Sequence, residues 1–444
     1  MPNNEEKSEF FVFQWITGVL FFRPWLASFD FSNFSFLDRR KLVGSEVILE
    51  TTIMGYVDIL LTVILFYYIF KHRLSLSKIP MKSIIVSFVI FVSINATVLT
   101  IDPSTSIRKL SKVYLYFGHL CFFFLLSDDK YFYRLLRAIL VSLIFPLVYG
   151  WFDYIANADL NLQSILLRPY REYSTFTHAN SYAFFLSGCI FVALALYYHE
   201  PIQKTKYKIV IAISFITMLT TGARMAFAAL IISLIISLTK SFSKILIYSL
   251  VLILLLLNVG LYSDSFNALI KAVPSLMVGD LSVGLQIAST EMLAISGNET
   301  TVSEFAVRLL IWGRLIEGLG NNFLWGMGLF SSNKYMLETF NEYYNPHNDY
   351  VRLFFELGVI GLVLYFGLFV ILYKKIYRVV AEQDRDEKML RALIAFIPYM
   401  FIVSLTDNLF LDTSFGLILF CLMGYFLKIV SKSDNRNSLN SSIT

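Results

Sequence analysis

His347 stands in Asn345-Pro346-His347-Asn348-Asp349-Tyr350, just before an apolar run that continues to Lys374 and Lys375. Asn345 suits an N-cap and Pro346 the first helical position, so the pattern predicts a membrane-crossing helix with His347 in its first turn. At about 100° per residue, Gly358 returns to the face of His347, about 16 Å below it, with Gly361 beside it. Such a pair of small residues predicts a close-packing seam. Asp349, Arg352 and Glu356 fall on the opposite face at a spacing that lets them neutralise one another. Neither face suits lipid, which predicts a central helix. Two readings of His347 stay open: a capping or interfacial side chain, or a titratable group at the mouth of a cavity.

Arg224 is the second residue that calls for an account. It interrupts the apolar stretch from Ile209 to Thr239 at Thr221-Gly222-Ala223-Arg224. Two crossings need more chain than this stretch offers, since its first half would reach only about 20 Å into a core of about 30 Å. The turn is therefore expected below the membrane surface, where irregular backbone is tolerated only if buried or lining a wet cavity. An arginine at such a place is a functional candidate, with snorkelling to the interface as the alternative.

The rest of the chain reads as scaffold for these groups. It is 57% hydrophobic and 16% charged, and its apolar residues come in runs of about twenty, which predicts an all-α polytopic membrane protein. Met1 to Glu9 is polar and acidic and carries no basic n-region, so no cleaved signal peptide is expected. Cys121, Cys189 and Cys421 lie far apart in apolar runs and read as packing residues. A net charge of +5 with no basic stripe gives no support for nucleic acid as a partner.

Apolar runs predict about twelve spans: 10–22, 52–70, 83–101, 111–126, 137–155, 180–198, 209–221, 223–239, 245–262, 348–373, 389–406 and 411–428. With the N-terminus cytoplasmic, Lys and Arg of the inner loops outnumber those of the short outer loops by about two to one, as the positive-inside rule requires. Both termini then face the cytoplasm. The chain divides into spans 1–9 (residues 1–262), one large outer loop (263–346), and spans 10–12 with a cytoplasmic tail (347–444). The loop carries Ile311-Trp312 and a Gly326-Met327-Gly328 turn, so it is expected to be ordered and partly helical. Asp407 and Asp412, at the outer end of the last hairpin, read either as ligands for a cation or sugar hydroxyls or as a solvated loop. No residues show convincing metal-ligand spacing on the outer side, so neither metal nor cofactor is expected.

His347-Asn348 followed by Gly358-x-x-Gly361 resembles the signature of the O-antigen ligase and Wzy polysaccharide polymerase superfamily. Further resemblances precede it in order. Phe176-Thr177-His178-Ala179-Asn180 is similar to the family's His-Pro-Asn entry to a helix, with alanine for proline. Thr221-Gly222-Ala223-Arg224 is similar to its Ser-Arg-Gly turn, without the serine. Arg308-Leu309-Leu310-Ile311-Trp312 with Gly326-x-Gly328 resembles its Arg-x-x-x-Trp and Gly-x-Gly loop segment.

The resemblance implies a glycosyltransferase of the bacterial plasma membrane. It would take a glycan from an undecaprenyl-diphosphate carrier at the outer face and join it to an acceptor hydroxyl. The acceptor is another lipid-linked repeat unit for a polymerase, towards which the loops lean, or lipid A-core for a ligase; other polysaccharide assembly proteins are candidate partners. In this reading His347 is the general base. Arg224, Arg308 and Arg171 bind the diphosphate, to which a planar guanidinium is well matched. Asn348, Asp349, Tyr350, His178 and Asn180 are candidates for orienting the base or the acceptor, and His119 is a packing or capping residue. A transporter or flippase is the alternative class; the large loop after span nine and the lack of a repeated hydropathy pattern speak against it.

Overall fold

The computed structural model describes residues 4–26, 52–72, 76–126, 128–157, 174, 176, 179–239, 304–340, 346–381 and 387–441. Among them the regular elements are all helical. The first half of the chain supplies α1 (Asn4–Leu26), α2 (Thr52–Lys71), α3 (Lys82–Ile94), α4 (Pro103–Leu125), α5 (Asp129–Ser142), α6 (Ile144–Asn157), α7 (Ala179–His199), α8 (Lys204–Thr220) and α9 (Arg224–Leu238). After a gap in the described residues come α10 (Glu304–Leu319), α11 (Ser332–Phe340), α12 (Asp349–Ala381), α13 (Glu387–Ile394), α14 (Phe396–Val403) and α15 (Thr413–Ser441). Helix starts follow the sequence where caps exist. Asp102 accepts from the Thr105 N–H ahead of Pro103, and Asp128 accepts from the Lys130 N–H.

Among the described residues, five segments are long and apolar enough to cross a membrane: Lys82–Leu99, Asp129–Phe152, Ala179–His199, Asp349–Val380 and Ser414–Asp434. Of the expected spans, 245–262 lies outside the described residues. The expected centre shifts. The apolar windows of α7 and α15 are each 83% buried, against 56% for α12, whose Val363 and Ile371 are exposed. A second small-residue seam lies on α15, where a Cβ at Gly416 would strike the Tyr116 ring of α4, and one at Gly424 the Leu120 carbonyl. These two glycines let α4 and α15 pack closely.

On α12 the expected seam holds at Gly361, where a Cβ would meet the Phe91 ring of α3, and is broken at Gly358. Gly358 has φ 64° and ψ −172°, outside the helical region, so the facial arithmetic from His347 does not carry through it. The turn after α10 docks beside the break. Met327 N–H donates to the Phe355 carbonyl at 2.8 Å and Gly328 N–H to that of Glu356 at 3.0 Å; Val359 N–H reaches the Phe323 carbonyl at 2.9 Å. The backbone groups released by the break are thereby satisfied. Gly326 and Gly358 permit this approach, since a Cβ on either would meet the other segment's backbone. Only glycine readily adopts the Gly358 conformation, so Gly358→Ala should cost about 1–3 kcal/mol from backbone strain alone. A thermal midpoint in detergent equal to wild type would contradict the break.

Helices α10 and α11, within the stretch expected to form the large loop, pack on α12. Ile311, Leu315 and Leu319 of α10 and Met336 of α11 form a buried cluster with Phe355, and Trp312 packs at its edge. Arg352 pairs with Asp349 at 2.8 Å and its charge also acts on Glu356, as the spacing suggested, while Glu356 takes its hydrogen bond from the Ser332 hydroxyl at 2.6 Å, at the start of α11.

Candidate functional site

His347 lies just outside its helix. Asn348 is the N-cap, its Oδ1 accepting from Val351 N–H at 3.0 Å, and α12 begins at Asp349. This corrects the expected start at Asn345 and Pro346, of which Asn345 lies outside the described residues. The local sequence favours Asn348 because its short side chain caps the helix while its own amide finds partners: Nδ2 donates to the Leu405 carbonyl at 3.0 Å. His347 adopts a left-handed backbone, φ 48°. Non-glycine residues rarely do so, and such strain gathers at functional sites. The Trp312 indole holds the preceding turn, donating to the Pro346 carbonyl at 2.7 Å.

The partner of His347 is Asp407. Nδ1 and Oδ1 are 3.3 Å apart, with the side chains 27% and 13% exposed. A carboxylate can only accept, so Nδ1 carries the hydrogen and the lone pair of the ring is on Nε2. Asp407 also accepts from its neighbour Asn408 N–H at 2.8 Å and from the Asn180 amide. Burial by itself would raise its carboxyl, but the His347 interaction and the Asn408 and Asn180 hydrogen bonds outweigh it and hold the group below its ordinary value. The sign follows: Asp407 stabilises the fold above its unfolded pKa, and that contribution is lost as pH falls through its folded, depressed value. At neutral pH it is anionic.

A second, buried carboxylate fixes the hairpin that carries Asp407. Asp349 Oδ2 accepts from Phe410 N–H at 2.9 Å and the Ser404 hydroxyl at 3.3 Å, and its own N–H donates to the Ser404 carbonyl at 2.8 Å. Arg352, 1% exposed on its side chain, balances that charge and lies 5.8 Å and 5.4 Å from the Phe330 and Phe410 ring centroids. Asp349 thus reaches the histidine through the hairpin and does not orient the ring directly. Tyr350 turns away: its hydroxyl donates to the Phe401 carbonyl at 3.0 Å and its ring stacks on Phe366.

Of the three arginines expected to bind the diphosphate, Arg224 and Arg308 meet at one cavity of about 220 Å³, whose lining includes Asn180, Gly222, Arg224, Arg308, Thr406 and Asp407. Arg308 is half-buried and donates to the Thr406 carbonyl at 3.1 Å, one residue from Asp407. Arg224 opens α9 and is exposed. Helix α8 starts at Lys204 rather than 209, so its 17 residues reach about 25 Å. The Gly222 turn is less recessed than its sequence suggested. His119 is buried in α4 with Nδ1–H donating to the Leu115 carbonyl at 2.7 Å. Arg171 and His178 lie outside the described residues. Asp412, the other acid of the hairpin, caps α15 by accepting from Phe415 N–H at 2.8 Å.

Asp407 is the residue that sequence reasoning left undecided. Its signal was an acid next to Asn408 in the short connection between two apolar runs. What the sequence did not show is that Asp349, 58 residues earlier by numbering, pins that hairpin over the start of α12.

Helices, cavity and side chains together define a polytopic membrane protein that gathers two guanidinium groups, a carboxylate and a histidine at one site. Residues 209–366 match the family model described as O-antigen ligase, a similarity consistent with the O-antigen ligase/Wzy superfamily. It contains Arg224, Arg308 and His347, while Asn180 and Asp407 fall outside it. No curated protein matches the chain.

Proposed function

We propose that the protein is an integral membrane glycosyltransferase that moves a polyprenyl-diphosphate-linked glycan onto an acceptor hydroxyl. The observation that carries this reading is the meeting of Arg224 and Arg308 in a cavity whose wall, Asp407, holds His347. The acceptor oxygen attacks the anomeric carbon, and its proton passes to Nε2 of His347. The anomeric C–O bond breaks with its electron pair going to the diphosphate, whose growing charge the two guanidinium groups receive. Asp407 fixes the tautomer and faces the imidazolium as it forms. In this reading the chain crosses the bacterial plasma membrane about twelve times, with both termini cytoplasmic and the cavity on the outer face.

We read the acceptor as another lipid-linked repeat unit, hence a Wzy-type polymerase of O-antigen, capsule or exopolysaccharide. The description of the matched family favours a second reading, ligation to lipid A-core. Deletion of the gene followed by glycan analysis separates them. Single repeats on the acceptor indicate a lost polymerase, and long chains left on the carrier a lost ligase. Unchanged surface glycan would overturn both.

Asp407→Asn should lower kcat by about 10- to 100-fold, the order found for groups that orient a working histidine, with KM for the lipid-linked donor little changed. A kcat equal to wild type would reduce Asp407 to a structural residue of the hairpin.

A further inference from the structure

Phe323-Leu324-Trp325, the turn that docks beside the Gly358 break, leaves three consecutive large apolar side chains 50%, 41% and 51% exposed. We infer that this turn is a wedge embedded in the membrane, with bilayer lipid near the boundary between acyl chains and headgroups as its partner. The inference rests on α12 crossing the bilayer and not on the transfer reaction.

Depth is the first support. Lys374 marks the far end of the apolar run of α12, and Gly358 lies 16 residues before it, 374 minus 358. That is about 24 Å of helix. A hydrocarbon core of about 30 Å therefore places the break about 6 Å inside the opposite boundary. The turn is bonded at that level: the Phe323 and Leu324 carbonyls accept from Val359 and Ile360 N–H at 2.9 and 3.3 Å, and the Trp325 carbonyl from Asn95 Nδ2 at 2.8 Å. With backbone groups satisfied in this way, a turn can lie at a depth that lipid-exposed loops otherwise avoid.

Continuity is the second. Val98 and Val363, on the two spans that flank the turn, are themselves exposed apolar side chains, as a lipid-facing surface requires. The wedge extends that surface. Trp325 stacks on Phe91 with centroids 6.2 Å apart, and tryptophan suits the interfacial layer. Asn321 and Asn322 precede the apolar triplet and mark its polar side. Because α10 carries Arg308 and ends at Leu319, just before the turn, the wedge would set the depth at which α10 presents Arg308 to the cavity.

The test uses the full chain in phosphatidylethanolamine/phosphatidylglycerol vesicles. An environment-sensitive fluorophore is attached at Phe323→Cys or Leu324→Cys, with Glu338→Cys on α11 as the water-exposed reference. The expected result is blue-shifted emission at both wedge positions, quenched by nitroxide lipids labelled near the headgroup end of the chain and shielded from aqueous iodide. Iodide quenching equal to that of the Glu338→Cys reference would overturn the inference. So would shielding that vanishes when protein is diluted in lipid, which would indicate a second copy as the partner. An unlabelled measurement guards against a misfolded variant: brominated lipid should quench the native protein more than Trp325→Phe, and equal quenching would contradict the wedge.

Discussion

Replacing His347 by alanine is expected to lower glycan transfer by about 10²–10⁴-fold, the range for removing a positioned general base, with expression and insertion near wild type. The side chain is 27% exposed at a cavity edge, so its loss opens no void in a packed core. Helix α12 keeps its cap, which is Asn348. His347→Gln tests the same point with more of the volume retained and should be equally inactive, since an amide cannot take up the proton. Quantifying product chains per unit of inserted protein checks both variants, and wild-type-like chains in either would remove His347 from the reaction.

Arg308 should rank second. It is half-buried and fixed to Thr406, beside Asp407, so a diphosphate leaving group would meet it in a partly desolvated place. Arg308→Ala is expected to cost about 10²–10³-fold in turnover, the order for deleting one preorganised donor to developing charge. Arg308→Lys should restore little, because an ammonium cannot reproduce the two-pronged contact of a guanidinium. Arg224 is exposed at the same cavity, and water screens its charge; its neutralisation should cost less. The comparison is made on purified variants at saturating donor. Full activity of Arg308→Lys would mark the arginine as a surface charge.

Much of this site was legible in the sequence, and the reasons differ residue by residue. Arg224 was found by length arithmetic, but α8 starts five residues earlier than the apolar run, so the turn is less recessed than the arithmetic gave. His347 was found by its place before a long apolar helix, although its cap was assigned three residues early. Two asparagines flank Pro346-His347, and only the tertiary partners of Asn348, on the 404–408 hairpin, decide between them. Gly358 and Gly361 read as a seam because small residues at that spacing usually are one. A glycine that breaks a helix to admit a loop leaves the same trace in sequence. The pairing of Asp407 with His347 was hidden because it depends on a buried carboxylate, Asp349, binding a backbone N–H 61 residues away, a contact that no local pattern encodes.

The central claim is that the cavity lined by Arg224, Arg308 and Asp407, with His347 held on Asp407, transfers glycan from a lipid diphosphate. Purified protein in vesicles containing polyprenyl-diphosphate-linked glycan, with no nucleotide sugar or ATP, tests it most directly. Extended glycan should appear with one free polyprenyl diphosphate for each glycosidic bond formed, and both should be lost in His347→Ala. Movement of the intact lipid-linked glycan across the vesicle membrane without cleavage, or release of diphosphate that persists undiminished in His347→Ala, would contradict the account.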